Sequence, residues 1–226
     1  MKKFIIVGSK KGVRGSVDIN GAKNSCLPIM ASSILFNGTI ILRNVPFVDD
    51  VKTMVLLLKS LGSTVETSEK NKIIKIINKK KHKLIVPYNL VSKMRAGVLT
   101  MGALLGRYNS CSVSKPGGCS LGPRDYGWHL KGFNKLGAEN KLRGGYINLS
   151  AKKGLSGNTY KFPKVTVTGT SNLIITCLAT FIFYILLLNQ YSYNLGFFVI
   201  LIGSFVSLVI SLVFFWYCFK KLKMNK

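Results

Sequence analysis

The stretch Asp49-Asp-Val-Lys-Thr-Met54-Val-Leu-Leu-Leu-Lys-Ser-Leu61-Gly62 decides the fold class. Two acids open it, apolar residues follow at helical spacing, and a glycine stands just past the last of them. It reads as a helix over Asp49–Leu61 with a glycine stop. A strand, Thr39–Leu42, precedes it, and a strand pair, Ser63–Glu66 and Lys72–Ile77, follows. The series then recurs as strand Ser110–Ser114, helix Tyr126–Leu136 with its stop at Gly137, and strands Glu139–Leu142 and Tyr146–Leu149. Leu61-Gly62 and Leu136-Gly137 are 75 residues apart, and the strands Thr39–Leu42 and Cys111–Ser114 are 72 apart. Helical spacing over Ala22–Phe36 and Asn89–Leu105 puts a leading helix ahead of each series. Two βαββ units, each led by a helix, argue for an internally repeated α/β (α+β) fold. A third unit starts with a strand at Lys164–Thr168 and a helix at Ser171–Ala179 and is not completed. Ahead of the repeats, Phe4–Val7 and Val13–Ile19 read as two short strands.

Composition bounds the partners. The 226 residues carry 33 Lys+Arg against 7 Asp+Glu, a formal charge of +26. Such an excess points to anionic partners in general. The lysines Lys70, Lys72, Lys75, Lys79, Lys80, Lys81 and Lys83 are scattered through strand- and turn-like sequence, with no zinc-finger spacing and no alternation of basic and aromatic residues. No nucleic-acid partner is expected from this pattern. Five cysteines, Cys26, Cys111, Cys119, Cys177 and Cys218, form no C-x-x-C pair. With an apolar run of only four residues after Met1-Lys-Lys, they fit a reducing, cytoplasmic compartment.

Three clusters could carry chemistry. In Asn20-Gly-Ala-Lys-Asn24, Lys23 and Asn24 stand at the mouth of the first helix, where backbone N–H groups and a cation suit a phosphate or carboxylate, or form an ordinary solvated cap. In Lys115-Pro-Gly-Gly-Cys119-Ser-Leu-Gly-Pro-Arg124, turn-forming residues put Cys119 on a tight loop between a strand and a helix. Lys115 and Arg124 flank the thiol and favour its thiolate. The third is Arg95, in Ser92-Lys-Met-Arg-Ala-Gly97, which alone reads as a solvated helical arginine. His82, in a lysine run, reads as solvated. His129 could pack or contact a ligand.

Together these clusters resemble the UDP-N-acetylglucosamine enolpyruvyl transferases of peptidoglycan synthesis. The matching motifs are Gly21-Ala-Lys-Asn24 with Leu27-Pro-Ile-Met30, Asn44-Val-Pro46 with Asp50-Val-Lys-Thr-Met54, and Pro87-Tyr with Met94-Arg-Ala96. Pro116-Gly-Gly-Cys119 and Leu130-Lys-Gly-Phe with Leu136-Gly-Ala138 complete them. The resemblance spans roughly residues 3 to 179. The sister enzyme acting on shikimate 3-phosphate shares the fold but lacks the Gly-Gly-Cys loop.

The resemblance implies an inverse α/β barrel domain, here incomplete, and transfer of the enolpyruvyl group of phosphoenolpyruvate to the 3-hydroxyl of UDP-N-acetylglucosamine. It implies no metal and no organic cofactor. Cys119 takes the place of the proton donor and of a possible phosphoenolpyruvate adduct. Lys23, Asn24, Arg95 and Arg124 take the places that hold phosphate and carboxylate. Asp125, Tyr126, Gly127 and Trp128, with Lys164, Val165, Thr166 and Val167, fall where the family contacts the uridine nucleotide. The family's usual Pro-Val-Asp-Leu-His is here Asp125-Tyr-Gly-Trp-His129, so Gly127 stands at the nucleotide-contacting aspartate unless Asp125 substitutes. By the same resemblance residues 1–20 belong to a second domain, and 21–179 to a domain of two repeats and the start of a third. The second domain's general-base aspartate and a further phosphate-binding arginine have no counterpart, so a truncated, weak or inactive enzyme is expected. The rival reading is a membrane-anchored module that binds UDP-sugar or phosphoenolpyruvate without turnover.

The tail departs from the family. Leu173–Leu188 is 16 uncharged residues and Leu195–Phe219 is 25, separated by a polar stretch, Asn189–Asn194. About 20 apolar residues span a bilayer, and Lys220, Lys221, Lys223 and Lys226 favour the cytoplasmic side. A hairpin of two membrane-spanning helices over 173–219, with a basic tail at 220–226, would anchor the chain to the inner membrane. An AT-rich gene read out of frame gives the same strings of Phe, Ile, Leu, Tyr and Lys, and the switch falls inside a repeat.

Overall fold

The computed structural model describes residues 14–79, 81–114 and 126–191, with residues 5, 7, 8 and 12. The first unit opens with helix α1 (Lys23–Ser32), which tightens into a 3-10 turn, Ser33–Leu35. Strand β1 (Gly38–Leu42), helix α2 (Asp49–Leu61) and the hairpin β2 (Thr64–Ser68)–β3 (Ile73–Asn78) follow. A two-residue strand β4 (Ile85–Val86) and a short helix α3 (Tyr88–Val91) lead to the second unit. There a 3-10 turn, Arg95–Val98, runs into helix α4 (Leu99–Tyr108), then strand β5 (Ser110–Ser114) and helix α5 (Gly127–Lys135). The hairpin β6 (Glu139–Arg143)–β7 (Tyr146–Ser150) closes that unit, and a long helix α6 (Val167–Tyr191) begins the third.

The repeat is present in three dimensions. The sheets are ordered β1-β3-β2 and β4-β5-β7-β6. The β1–β3 ladder runs from Gly38↔Asn78 to Leu42↔Ile74, and β5–β7 repeats it from Ser110↔Ser150 to Ser114↔Tyr146, 72 residues on at both strands. The helix stops match as well. Gly62 and Gly137 both take positive φ, and the next amide returns to the helix at Ser63 N→Leu58 O (3.1 Å) and Ala138 N→Phe133 O (3.0 Å). A glycine is needed there because a Cβ is disfavoured in the left-handed region. The leading helices start at Lys23, Arg95 and Val167, again 72 apart.

These helices form the spine of the core. Met30, Ile34, Met101, Leu104 and Leu105 are fully buried between them, and Met54, Leu57, Leu58 and Leu61 of α2 pack alongside. α4 and α6 lie almost backbone to backbone. A Cβ on Gly102 would stand 2.3 Å from the Asn172 carbonyl and side-chain oxygens, and one on Gly106 would stand 2.6 Å from Cβ of Ala179. Asn172 exploits the approach: its amide accepts from Gly102 N (2.8 Å) and donates to Val98 O (2.9 Å), the two groups an uninterrupted helix would join to each other. Its second hydrogen goes to Nδ1 of His129 (3.1 Å). Thr176 adds a bond to Gly102 O (3.1 Å).

Several expectations are corrected. The helix expected over Asn89–Leu105 is broken, because Met94 is extended (φ −143, ψ 118) and the chain re-enters through a 3-10 turn. Lys164–Thr168 is no strand: Thr166 Oγ1 accepts from Gly169 N (3.2 Å), an N-cap that starts α6. Residues 14–20 form no strand and leave Val17 and Ile19 exposed, since no described strand offers them a ladder. The described residues form two sheets and no closed barrel.

The tail hairpin is corrected in its first half. Among the described residues no helix is long and apolar enough to cross a membrane. Asn172, Ile175, Thr176 and Ala179, within or beside the first expected span, are buried against the core. The second segment, Leu195–Phe219, lies outside the described residues.

His82 is buried rather than solvated. Its Nδ1 accepts from the Tyr108 hydroxyl (2.9 Å), while Nε2 lies 3.1 Å from both Asn78 Oδ1 and Ser63 Oγ. Asn78 is oriented by donating to Ser33 O (2.7 Å), which leaves its oxygen to accept from an Nε2–H tautomer. Burial, and secondly the Arg107 guanidinium, push the imidazole pKa down to about 4.

Two outcomes follow from this packing. Asn172→Ala strands the Gly102 and Val98 groups and should lower stability by about 2–4 kcal/mol, read as a reduced urea midpoint with unchanged slope. His82 is neutral in the fold and titrates near its ordinary value when unfolded, so its contribution is whole above about pH 6.5 and lost as pH falls towards 4. Stability should drop on the order of 2–3 kcal/mol across that window, and His82→Gln should flatten the profile.

Candidate active site

The leading helices run parallel, which gathers their N-termini at one end of the core. Gly102 faces Asn172 and Gly106 faces Ala179 in the same order along both helices. Arg107, at the far end of α4, donates to the carbonyl of Ile34 at the far end of the first leading helix. Lys23, Arg95 and Thr166–Val167 therefore stand at the same end. Neither N-cap residue, Ala22 at the first start nor Met94 at the second, makes a side-chain capping bond, and a helix N-terminus favours an anion.

Close packing fixes the mouth of α1. A Cβ on Gly21 would lie 2.1 Å from the Asn44 carbonyl, so only glycine lets the chain pass over the β1–α2 loop. Asn44 takes a left-handed φ of 55, Val45 N donates to Lys72 O (2.9 Å), and Lys72 Nζ donates to Asn20 Oδ1. A cleft of about 250 Å³ opens beside it, lined by Gly21, Ser25, Cys26 and Asn44. Lys23 is held by Asp50, in the first turn of α2, at 2.8 Å. Both side chains are more than a third exposed, and such pairs are worth roughly 0–1 kcal/mol, so an incoming anion can displace the carboxylate. Asn24 is exposed, and Arg95 is half-buried at the head of its 3-10 turn.

The two candidate nucleotide segments are brought together. Tyr126 precedes α5, whose first residues are Gly127 and Trp128. The Trp128 carbonyl accepts from the Tyr160 hydroxyl (3.1 Å), and Tyr160 packs edge-on to Phe162, which leads to Lys164. His129, beside Trp128, reaches Asn172 on α6. Lys164 and Val165 are exposed, and Thr166 caps α6 ahead of the exposed Val167. Cys119, Arg124 and Asp125 lie outside the described residues. Cys111, on β5, is inert by contrast: burial pushes its thiol up to about 12.

Sequence reasoning missed Asp50 as the partner of Lys23, and missed Asn172 and His129 as the bond between α5 and α6. Asp50 is visible only as a first-turn acid. A lone asparagine in an apolar helix gives a signal for Asn172 once that helix is known to be buried, because a buried amide must be paired.

Comparison with known proteins gives this arrangement a family. The family model described as EPSP synthase (3-phosphoshikimate 1-carboxyvinyltransferase) matches residues 7–181. A UDP-N-acetylglucosamine 1-carboxyvinyltransferase of Pelagibacter ubique is 48% identical over 180 residues, 79% of this chain and 42% of its own length. The enzyme of that name from Helicobacter pylori strain Shi470 is 43% identical over 171 residues, 76% of this chain and 40% of its own length. The chain thus spans about two fifths of these relatives. Among solved structures, the enolpyruvyl transferase NikO from Streptomyces tendae superposes with a TM-score of 0.54 at 17% identity, over 63% of this chain and 31% of that one. EPSP synthase from Acinetobacter baumannii does so with 0.52 at 17%, over 72% and 38%. These structural likenesses bear on the fold alone. Matched by the family model over residues 7–181, the chain belongs to the EPSP synthase family.

Proposed function

We propose that this chain carries the phosphoenolpyruvate- and UDP-sugar-facing half of an enzyme that transfers the enolpyruvyl group to the 3-hydroxyl of UDP-N-acetylglucosamine. The supporting observation is that Lys23 and Arg95, one repeat apart, stand at the N-termini of parallel helices. The names of the relatives choose this acceptor over shikimate 3-phosphate.

In this reading Lys23, Asn24, Arg95 and Arg124 hold the phosphate and carboxylate of phosphoenolpyruvate, where charge-assisted and bidentate bonds are strongest. Cys119 gives its thiol proton to the methylene carbon while the sugar oxygen bonds to the neighbouring carbon and loses its own proton. Release of phosphate then breaks the carbon–oxygen bond, and loss of a proton from the new methyl restores the double bond. Lys164–Val167 and Asp125–Trp128 take the nucleotide, a reading supported by the bonds that Tyr160 and Asn172, on either side of Lys164–Val167, make to Trp128 and His129. Residues 1–20 belong to a second domain, which suits the exposure of Val17 and Ile19. That domain supplies the general base in this reading. The reaction belongs to the cytoplasmic stage of cell-wall synthesis. The membrane-anchored binding module has no observation in its favour.

Phosphate release with both substrates should exceed that of a Cys119→Ala chain, by about 100-fold or more if the thiol is the general acid. Equal release from the two would remove the enzyme reading. Lys23→Ala should weaken phosphoenolpyruvate binding by roughly 10- to 100-fold, the worth of a charged hydrogen bond. Asp50→Asn, by freeing Lys23, should leave that affinity unchanged or raise it by no more than about 5-fold, as titration calorimetry would read.

A further inference from the structure

Asn172 is wholly buried, and two backbone groups fix which way its amide points. Oδ1 accepts from Gly102 N (2.8 Å), and Nδ2 donates to Val98 O (2.9 Å). A peptide N–H can only donate and a carbonyl can only accept, so the amide cannot be turned over. Its second Nδ2 hydrogen then meets Nδ1 of His129 at 3.1 Å, and Nδ1 must be the acceptor. A hydrogen on Nδ1 would point at a nitrogen that already carries two. A neutral imidazole has one proton, so that of His129 sits on Nε2. His129 is 2% exposed, which denies Nδ1 water as another partner.

We infer that Asn172 is a positioning residue for the nucleotide end of the site, and that it acts by locking His129 as a neutral imidazole with its proton on Nε2. The third residue of α5, directly after Trp128, is thereby a fixed hydrogen-bond donor. Whatever Nε2 meets must accept. The same lock removes His129 from proton chemistry, because its one basic lone pair, on Nδ1, is taken by the amide. A buried histidine beside a candidate site is otherwise a ready general base. Here the proton transfers of the proposed reaction fall to other groups. The link to the nucleotide rests on the function proposed above, whereas the tautomer rests on geometry alone.

The chain has two histidines, so an untagged, isotope-labelled chain carrying His82→Gln shows the imidazole of His129 alone in a nitrogen–proton correlation spectrum. Near neutral pH one ring nitrogen should appear bare and the other protonated, with the couplings to the ring hydrogens placing the bare one at Nδ1. An averaged pair of signals, as from an imidazole that swaps tautomers, or a proton on Nδ1, overturns the inference. Adding Asn172→Asp keeps an acceptor for Gly102 N but offers Nδ1 an oxygen in place of a hydrogen, so a proton should appear on Nδ1. A folded Asn172→Asp chain whose His129 still carries its proton on Nε2 alone also overturns it. With His82 intact, Asn172→Asp should weaken binding of UDP-N-acetylglucosamine by about 10-fold or more in titration calorimetry, the worth of a misplaced hydrogen bond. Unchanged affinity would remove the positioning role. If the unaltered chain binds no UDP-N-acetylglucosamine while the spectrum shows the bare Nδ1, the lock stands and the proposed function is what fails.

Discussion

The fold depends on how closely α4 and α6 approach, and Asn172 makes that approach possible. Two helices can come this near only where one presents glycine, and Gly102 and Gly106 do so. The cost is that the turn from Val98 to Gly102 is shared with a neighbour. Asn172 meets the cost by offering an acceptor to one end of the turn and a donor to the other. Its remaining hydrogen recruits His129, so α5 is tied to the same point. One amide thus sets the spacing of two repeats and the seat of a third helix, and with it the alignment of the helix starts.

Most of the secondary structure was legible because each unit announces itself locally. The helix Asp49–Leu61 and the strand Ser110–Ser114 fall where periodicity puts them, since both are bounded by residues with strong conformational preferences. The elements that were misread depend on distant partners. Nothing in Ser92-Lys-Met forbids a helix; the break is imposed by packing. The strand pattern at Lys164–Thr168 yields to the Thr166 cap, and β4 exists only because β5 offers it a parallel edge. His82 looked solvated because its neighbours in sequence are lysines, yet in the connection between β3 and β4 it turns inward to Tyr108 and Asn78.

The site was legible in a different way. Lys23 and Arg95 sit in unrelated local sequence, and only their shared position in successive repeats makes them a pair. The structure adds what spacing cannot: Lys23 pairs with Asp50, an acid in the first turn of α2. It also joins the segments around Trp128 and Lys164, which lie far apart in the chain, through Tyr160.

The stop at the end of each leading helix has a consequence for the architecture as a whole. Asn109 turns the chain with a left-handed φ of 56, and Gly38 does so in the first unit with a φ of 102. One repeat further on, the corresponding positions are Phe181 and Ile182, neither of which tolerates that conformation. The chain does not reverse at those positions, and α6 runs on through them to Tyr191. In this fold a single backbone dihedral per unit decides whether chain length is laid down as another sheet or drawn out as a rod.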